Sequence, residues 1–250
     1  MWNPADYLAF GDQRGRPFYD LVARVGAVHP RAVVDLGCGP GTLTATLSHR
    51  WPGARITGID SSPDMVAAAK ARGVSVEEGD LRAWTPSADT DVVITNAALQ
   101  WVPDHTALLR TWVSSLPRHS WIAVQVPGNF SAPSHVLVRE LAATPAWRDR
   151  IGPLRGEGTV LDPAGYADLF PDCDVDAWET TYLHRLQGEN PVLDWISGTA
   201  LRPVRAALPD PEWTEFRQTL APRLRDAYPA RPDGTTWFPF RRVFVVARTP

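Results

Sequence analysis

A regular alternation of short apolar runs with helix-like segments over residues 30–127 restricts the fold of this chain more than any other feature. The first run, "RAVVDLG", ends in glycine, and the fifth, "SWIAVQVP", ends in proline. Strands that alternate with helices in this way form right-handed βαβ units, in which parallel strands are covered by helices on both faces. The sequence therefore predicts an α/β fold with a Rossmann-like, doubly wound, mostly parallel sheet.

The alternation stops after Pro127. Residues 131–172 and 190–228 are rich in proline and have helical patterns, which indicates short helices joined by rigid turns. The runs "DVDAWETTYLHRL" and "RRVFVVART" are typical of strands and bring the sheet to seven. We predict that residues 1–250 form a single domain, in which the helical segments before and after the sixth strand build a helical cap over the carboxyl edge of the sheet.

Composition excludes several classes of function. The net charge of −3 gives no general attraction to nucleic acid. The chain has no apolar run long enough to span a membrane, and its N-terminus lacks the pattern of a signal peptide. Two cysteines without a CxxC motif argue against a disulfide scaffold or a zinc site. We expect a cytoplasmic protein, a monomer or weak homo-oligomer, that binds neither nucleic acid nor membrane.

The stretch "VVDLGCGPGTLT" is a strand that runs into a glycine loop. A dinucleotide fingerprint, G-x-G-x-x-G, requires glycine at position 42, where this chain has Thr42. Asp35, at the end of the strand, would repel a pyrophosphate and suits a ligand that carries an ammonium group. S-adenosyl-L-methionine has an ammonium group and a sulfonium, and it has no phosphate.

Two further acids follow the next two strands. Asp60 ends the second strand, where a carboxylate can accept hydrogen bonds from ribose hydroxyls. Asp80 ends the third, where it can accept from an adenine amino group beside the backbone of Leu81. Each acid taken alone has a structural interpretation, as the cap of a helix or a turn. Three acids at the carboxyl ends of three strands, together with the glycine loop, favour a cofactor site.

The motifs "VVDLGCGPGTLT", "ITGIDSS", "EEGDL" and "DVVITNAALQWV" resemble those of the class I S-adenosylmethionine-dependent methyltransferases. The resemblance covers residues 30–127 and implies the seven-stranded fold of that superfamily. It places Asn96 and Ala97 beside the transferred methyl group. The cofactor-binding residues that it implies are Asp35, Gly37, Gly39, Gly41, Asp60, Ser61, Asp80, Leu81, Asn96 and Ala97.

A narrower resemblance extends over the whole chain. The segments "NAALQWVPDH", "VQVPGNFSAPSH" and "WFPFRRVFVVA" are similar to those of the trans-aconitate 2-methyltransferase family. This implies a small polycarboxylate substrate and a monomethyl ester as product. A carboxylate is already ionised at neutral pH, so the transfer needs neither a general base nor a metal. We therefore expect no catalytic side chain and no metal site, and we expect catalysis by positioning and desolvation.

A tricarboxylate requires positive charge, and arginine forks bind carboxylates in a bidentate manner. The candidate acceptor-binding residues are Arg14, Tyr7, Gln100, Trp101, His135, Arg155, Arg202 and Arg241. Each has a structural interpretation as well: Gln100 can hold the backbone of its loop, and Trp101 can be core packing. Arg241 and Arg242 are neighbours in a strand and point to opposite faces, so at most one of them faces the site.

Three other interpretations stay open at the level of sequence. The first is a methyltransferase for another metabolite, with an oxygen, nitrogen or carbon acceptor; the number of arginines at the methyl site distinguishes it. The second is a nicotinamide-dependent oxidoreductase, against which Thr42, Asp35 and Asp80 count. The third is a cofactor-binding protein without activity, although no motif is visibly damaged.

Overall fold

The computed structural model describes residues 11–156 and 158–250, with the side chains of all of these except residues 11–14. The strands of this part are β1 (Ala32–Leu36), β2 (Arg55–Asp60), β3 (Val76–Glu78), β4 (Thr90–Asn96), β5 (Trp121–Pro127), β6 (Asp174–Leu186) and β7 (Thr236–Arg248). They form one sheet in the order β3-β2-β1-β4-β5-β7-β6. The first five strands pair in parallel, and β7 pairs antiparallel with β5. The predicted α/β fold with a mostly parallel sheet of seven strands is confirmed.

The helices of the described part follow the predicted alternation. They are α1 (Gly11–Ala23), α2 (Leu47–Arg50), α3 (Pro63–Ala71), α4 (His105–Ser115), α5 (Pro133–Ala142), α6 (Arg148–Ile151), α7 (Pro163–Ala167), α8 (Pro191–Ser197), α9 (Arg202–Ala207) and α10 (Asp210–Ala227). Short 3₁₀ turns cover Thr44–Thr46 and Leu99–Trp101. None of the helices in residues 11–156 and 158–250 has the length and apolar character to cross a membrane.

The first helix differs from the prediction. The apolar spacing predicts a helix over residues 17–28, whereas α1 runs from Gly11 to Ala23 and contains Pro17. Its last turn tightens, because the amides of Arg24 and Val25 bond to carbonyls three residues earlier. The buried face, with Phe18 and Leu21, gives the periodic signal, and α1 packs against β5.

The chain divides into two compact units. The first unit contains the described residues up to Pro127, Leu161–Thr180 and Arg242–Pro250. The second contains Gly128–Val160 and Thr181–Arg241. Residues 161–172, which the sequence assigns to the cap, therefore cluster with the first unit. The single-domain organisation and the helical cap stay predictions.

The switch in strand order lies between β1 and β4. The loops after these two strands lead to opposite sides of β1, and such a divergence opens a crevice at the carboxyl ends of the strands. Central strands that are buried on both faces flank it: every residue of β1 is buried, as is Val92–Thr95 in β4. The fold thus brings the glycine loop, which follows β1, next to the segment that follows β4.

A buried hydrogen bond links α4, in the segment after β4, to α7 of the same unit. His105, the first residue of α4, has its Nε2 atom 2.8 Å from the hydroxyl oxygen of Tyr166 in α7. Burial lowers the pKa of His105, although a bond to the backbone of Val102 acts in the opposite direction. Burial raises the pKa of Tyr166, so the phenol stays protonated and its hydroxyl donates the hydrogen bond to the neutral imidazole. Asp104, which precedes α4, makes no capping hydrogen bond with its side chain and adopts a left-handed conformation.

We expect Tyr166→Phe to lower the free energy of unfolding by about 1–3 kcal/mol, because it leaves a buried imidazole nitrogen without its donor. Tyr19→Phe is the matched control, since Tyr19 is 50% exposed, and it is expected to change stability by less than about 0.5 kcal/mol. Urea denaturation followed by circular dichroism measures both. Equal stabilities of the two variants would show that the Tyr166 bond contributes nothing.

Candidate active site

The glycine loop is tied to β2 by its backbone. The amides of Gly37 and Cys38 both donate to the carbonyl of Ile59, at 2.8 and 3.1 Å. Gly37 has a φ of +78°, and a Cβ atom there would lie 2.4 Å from the Cβ of Ala98, in the segment after β4. Only glycine fits this contact, since both the backbone conformation and the space exclude a side chain.

Gly39 faces the opposite situation. Its φ is +57°, yet no described atom lies within 4 Å of the position that its Cβ would take. No described residue therefore covers the loop at Gly39, and the backbone of a glycine lets a ligand approach closely there. Gly41 lies behind the loop, against Ala69 of α3.

Asp35 is the buried carboxylate of the site. It is 3% exposed, and its Oδ2 accepts a hydrogen bond of 2.6 Å from the hydroxyl of Thr44. Burial raises its pKa to about 6; the charge of Asp60 acts in the same direction, and the Thr44 bond acts against them. A cation placed beside such a group stabilises the ionised form. The contact of Asp35 with the ammonium group of a ligand stays a prediction.

Asp60 accepts hydrogen bonds from the glycine loop and from the turn after β2. Its Oδ2 accepts from the amide of Gly39 at 2.8 Å, and its Oδ1 accepts from the amide of Ser62 at 2.9 Å. The structural interpretation of this acid is therefore correct. A carboxylate oxygen can accept more than one bond, so both oxygens keep acceptor capacity toward ribose hydroxyls. Ser61, between these contacts, is exposed.

Asp80 forms a surface ion pair with Arg82. Bonds from the Arg82 side chain and backbone lower the pKa of Asp80 and hold its carboxylate at the end of the third strand. Leu81 reaches back to the loop, with its Cδ2 atom 4.0 Å from the Cβ position of Gly37. The contacts of Asp80 and Leu81 with adenine stay predictions.

Asn96 and Ala97 end β4 with two unusual features. The Oδ1 atom of Asn96 is buried, and no described residue donates a hydrogen bond to it. Ala97 has a φ of +56°, a conformation that is uncommon outside glycine, and its amide donates to the carbonyl of Gln125 at 2.9 Å. Buried polar groups nearly always have partners, so an orphaned acceptor next to the glycine loop fits a ligand that brings a donor.

Gln100 and Trp101 lie in the 3₁₀ turn that follows. The Nε2 of Gln100 donates to the carbonyl of Ala97 at 2.6 Å, so this side chain holds the backbone of its loop, one of the two roles that the sequence allows. Its Oε1 is buried and accepts no bond from a described residue. Trp101 is partly exposed beside it. Their contacts with an acceptor stay predictions.

The register of the sheet aligns a row of polar side chains on one face. Asp35 lies opposite Ile94, Asn96 opposite Gln125, and Pro127 opposite Arg242. Because residues directly opposite each other share a face and residues two apart along a strand do too, the polar side chains of these strands point the same way. We call this set the polar row; its members are Asp60, Asp35, Asn96, Gln125 and Arg242.

The sequence analysis did not identify Gln125, and of the neighbouring pair Arg241 and Arg242 it placed Arg241 in the site. Gln125 is fully buried, and Arg242 is 6% exposed. A charged residue at the start of the apolar run "VFVVA" is a signal in the sequence, but the choice between Arg241 and Arg242 depends on the pairing of β7 with β5. Arg241 belongs to the second unit, where its guanidinium donates to the carbonyl of Gly128 at 3.3 Å.

The other predicted acceptor residues are distributed as follows. Tyr7 and the side chain of Arg14 lie outside the described residues. In the second unit, burial and the charge of Arg139 lower the pKa of His135 to about 4, so its ring is neutral at pH 7. Arg155 lies in an exposed loop and Arg202 starts α9; burial lowers the pKa of both. Their roles, with that of Arg241, stay predictions.

The described side chains include no group of three or more histidine, cysteine or acidic residues placed to hold a metal ion. The polar groups of the described site are backbone amides, carboxylates and amide side chains.

Comparison with known proteins agrees with this geometry. The family model described as "Methyltransferase domain" matches residues 33–118. The trans-aconitate 2-methyltransferase of Rhodococcus jostii (strain RHA1) is 61% identical over 252 residues, which cover 99% of each chain.

Solved structures resemble the chain in fold. The YcgJ protein of Bacillus subtilis superposes with a TM-score of 0.57 at 15% identity, and the match covers 95% of this chain and 98% of that one. Phosphoethanolamine N-methyltransferase 2 of Haemonchus contortus, solved in complex with S-adenosyl-L-methionine, gives 0.54 at 14% identity over 94% of this chain and 52% of that one. These distant structures show the fold alone, whereas the full-length identity of 61% shows the family. The chain is a methyltransferase and belongs to the trans-aconitate 2-methyltransferase family.

Proposed function

We propose that this protein transfers a methyl group from S-adenosyl-L-methionine to a carboxylate of trans-aconitate or of a closely related tricarboxylate, and forms a monomethyl ester. The observation that carries the proposal is the 61% identity, over 99% of both chains, with a relative named for this activity. The glycine loop and the buried acid Asp35 support the choice of methyl donor.

Three features of the site fit the donor. No described atom lies within 4 Å of the Cβ position of Gly39, Asp35 is a buried acid suited to an ammonium group, and the buried oxygen of Asn96 accepts no bond from a described residue. We propose that these residues hold the methionine end, that Asp60 and Ser61 hold the ribose, and that Asp80 and Leu81 hold the adenine. When bound, the donor supplies a sulfonium methyl group that an ionised carboxylate can displace in line, which yields an ester and a neutral thioether with no proton to transfer.

The protein's own task in this reaction is to position and desolvate the acceptor. A carboxylate in water is strongly hydrated and a poor nucleophile, so removing its water and aligning it supply the rate enhancement. Since no proton moves, the side chains around the site have no need of a group that titrates near neutral pH. The neutral amides of Asn96, Gln100 and Gln125 suit this task.

We further propose that the protein acts in the cytoplasm on a small molecule, as a monomer or weak homo-oligomer, without nucleic acid. The free thiols of Cys38 and Cys173 and the net charge of −3 support this proposal.

The direct test is an assay with donor labelled in its methyl group and a panel of di- and tricarboxylic acids. We expect labelled, base-labile ester from trans-aconitate. Transfer to an amine, a phenol or a carbon acid, with none to any polycarboxylate, would overturn the proposed substrate and leave the methyltransferase assignment intact.

We expect Asp60→Ala to weaken donor binding at least tenfold, because the change removes the ribose acceptor and also releases the amide of Gly39. Asp64→Ala is the matched control: Asp64 lies four residues further on, in the first turn of α3, and its side chain is exposed. Isothermal titration calorimetry with S-adenosylhomocysteine measures both affinities. Unchanged affinity of the Asp60 variant would contradict the assignment.

Donor binding should depend on pH through Asp35. In the free protein this carboxyl is protonated below about pH 6. An ammonium group binds the ionised form, so affinity should be constant above that pH and fall below it, by up to about tenfold per pH unit. Calorimetry between pH 5 and pH 8, in about 0.1 M salt, measures the dependence.

Asp35→Asn is the diagnostic variant for the same group. Because folding raises the pKa of Asp35, the folded state binds more protons than the unfolded state between about pH 4 and pH 6, and the contribution of this group to stability falls as pH rises through that range. The asparagine variant should be at least as stable as the native protein at pH 7 while it binds the donor weakly and without the pH dependence. A loss of stability at pH 7 would contradict the account.

A further inference from the structure

We propose that Arg242, oriented by Gln125, binds a carboxylate of the acceptor that does not react, and so selects acids that carry more than one carboxylate. The inference rests on the proposed function and adds a residue that determines specificity. It concerns side chains of the first unit alone.

The position of Arg242 is set by the antiparallel pairing of β7 with β5. Arg242 lies opposite Pro127, the last residue of β5, so it stands at the carboxyl edge of the parallel strands. Gln125 is two residues deeper on the same face, and Asn96 is directly opposite Gln125 on β4. Arg242 is therefore the outermost member of the polar row on the side away from the glycine loop.

Arg242 is also distinctive in its burial. It is the one buried arginine or lysine among the side chains that the structure describes. A guanidinium keeps its charge in a protein interior, and its planar fork matches the two oxygens of a carboxylate. Its Nη1 atom donates to the Oε1 of Gln125 at 3.4 Å, which fixes the amide of Gln125 in one orientation.

That orientation leaves a second donor. The Nε2 of Gln125 is fully buried and donates no hydrogen bond to any described residue. On the neighbouring strand the buried oxygen of Asn96 lacks a donor. A buried amide N–H demands an acceptor, and a carboxylate held by Arg242 supplies one. The orphaned groups thus indicate an anion next to Gln125 and a hydrogen-bond donor next to Asn96.

The charges of the polar row change sign along the sheet. The carboxylates of Asp60 and Asp35 stand on β2 and β1, the neutral amides on β4 and β5, and the guanidinium on β7. From β1 to β7 there are three strand spacings, about 14 Å. A cationic donor over the acidic end and a polycarboxylate over the basic end would meet above the neutral amides. A purely structural link between β5 and β7 would not require this order of charges.

The test compares Arg242→Gln, Arg242→Lys and the control Arg248→Gln. Arg248 is on the same strand and the same face, but it is exposed and lies opposite Trp121 at the amino edge. Steady-state kinetics with trans-aconitate and with an unsaturated dicarboxylic acid give the discrimination between acceptors. We expect Arg242→Gln to lower kcat/KM for the tricarboxylate at least tenfold through KM, and to affect the dicarboxylate less. The lysine variant should be intermediate and the control unchanged.

Gln125→Glu provides an independent variant. It places a carboxylate beside Arg242 and should compete for the guanidinium, so acid binding should fall as in Arg242→Gln while the affinity for S-adenosylhomocysteine stays constant. Should Arg242→Gln fail to fold, as judged by its melting curve, the lysine and Gln125 variants give the same readout. Unchanged discrimination in folded variants would overturn the inference.

Calorimetry with trans-aconitate in the presence of S-adenosylhomocysteine separates this inference from the proposed function. Absence of binding to the native protein, together with no ester in the assay, would overturn both. Binding to the native protein and equal binding to Arg242→Gln would overturn the role of Arg242 alone.

Discussion

The hydrogen bonding of Asp60 to the glycine loop is the interaction on which the rest of the site depends. One carboxylate accepts from Gly39 and from Ser62, and so joins the loop after β1 to the turn after β2. With the loop fixed, Asp35 is covered and keeps 3% of its surface exposed. Burial of this carboxyl without a cation costs free energy, as its raised pKa shows. The chain retains at this position a group that a bound cation would stabilise, which is the usual compromise between stability and binding.

The fold, and the position of the glycine loop and of the acids at the strand ends, were predictable because their signals are local. A strand, a glycine loop and an acid at the next strand end occupy short stretches, and parallel βαβ geometry brings the strand ends to one edge. Asp60 shows the limit of such reasoning. The structural and functional interpretations of this acid look like alternatives in the sequence. A carboxylate nevertheless has enough lone pairs for its hydrogen bond from the loop and for a ligand.

The position of Arg242 beside Gln125 was not predictable, because it depends on pairing between distant segments. More than a hundred residues separate β5 from β7, and a slip of one residue in their register would turn Arg241 to the face that Arg242 occupies. The alternation of side chains along a strand allows at most one of the two to face the site, and we expected Arg241 there. The register shows that Arg242 shares the face of Asp35. Gln125 lies in the middle of an apolar strand, and no periodic pattern in the sequence indicates that it contacts Arg242.

The order of charges along the sheet fits a reaction between a cationic donor and an anionic acceptor. Two reactants of opposite charge are drawn together by their own attraction, which is strong where water is excluded. A protein that sorts them, with acids at one end and a guanidinium at the other, sets their orientation before the methyl group moves. Neutral groups stand between these ends. In the transition state the charges of both reactants diminish. A charged side chain beside the reacting atoms would therefore stabilise one reactant more than the transition state. The amides of Asn96 and Gln125 meet this requirement.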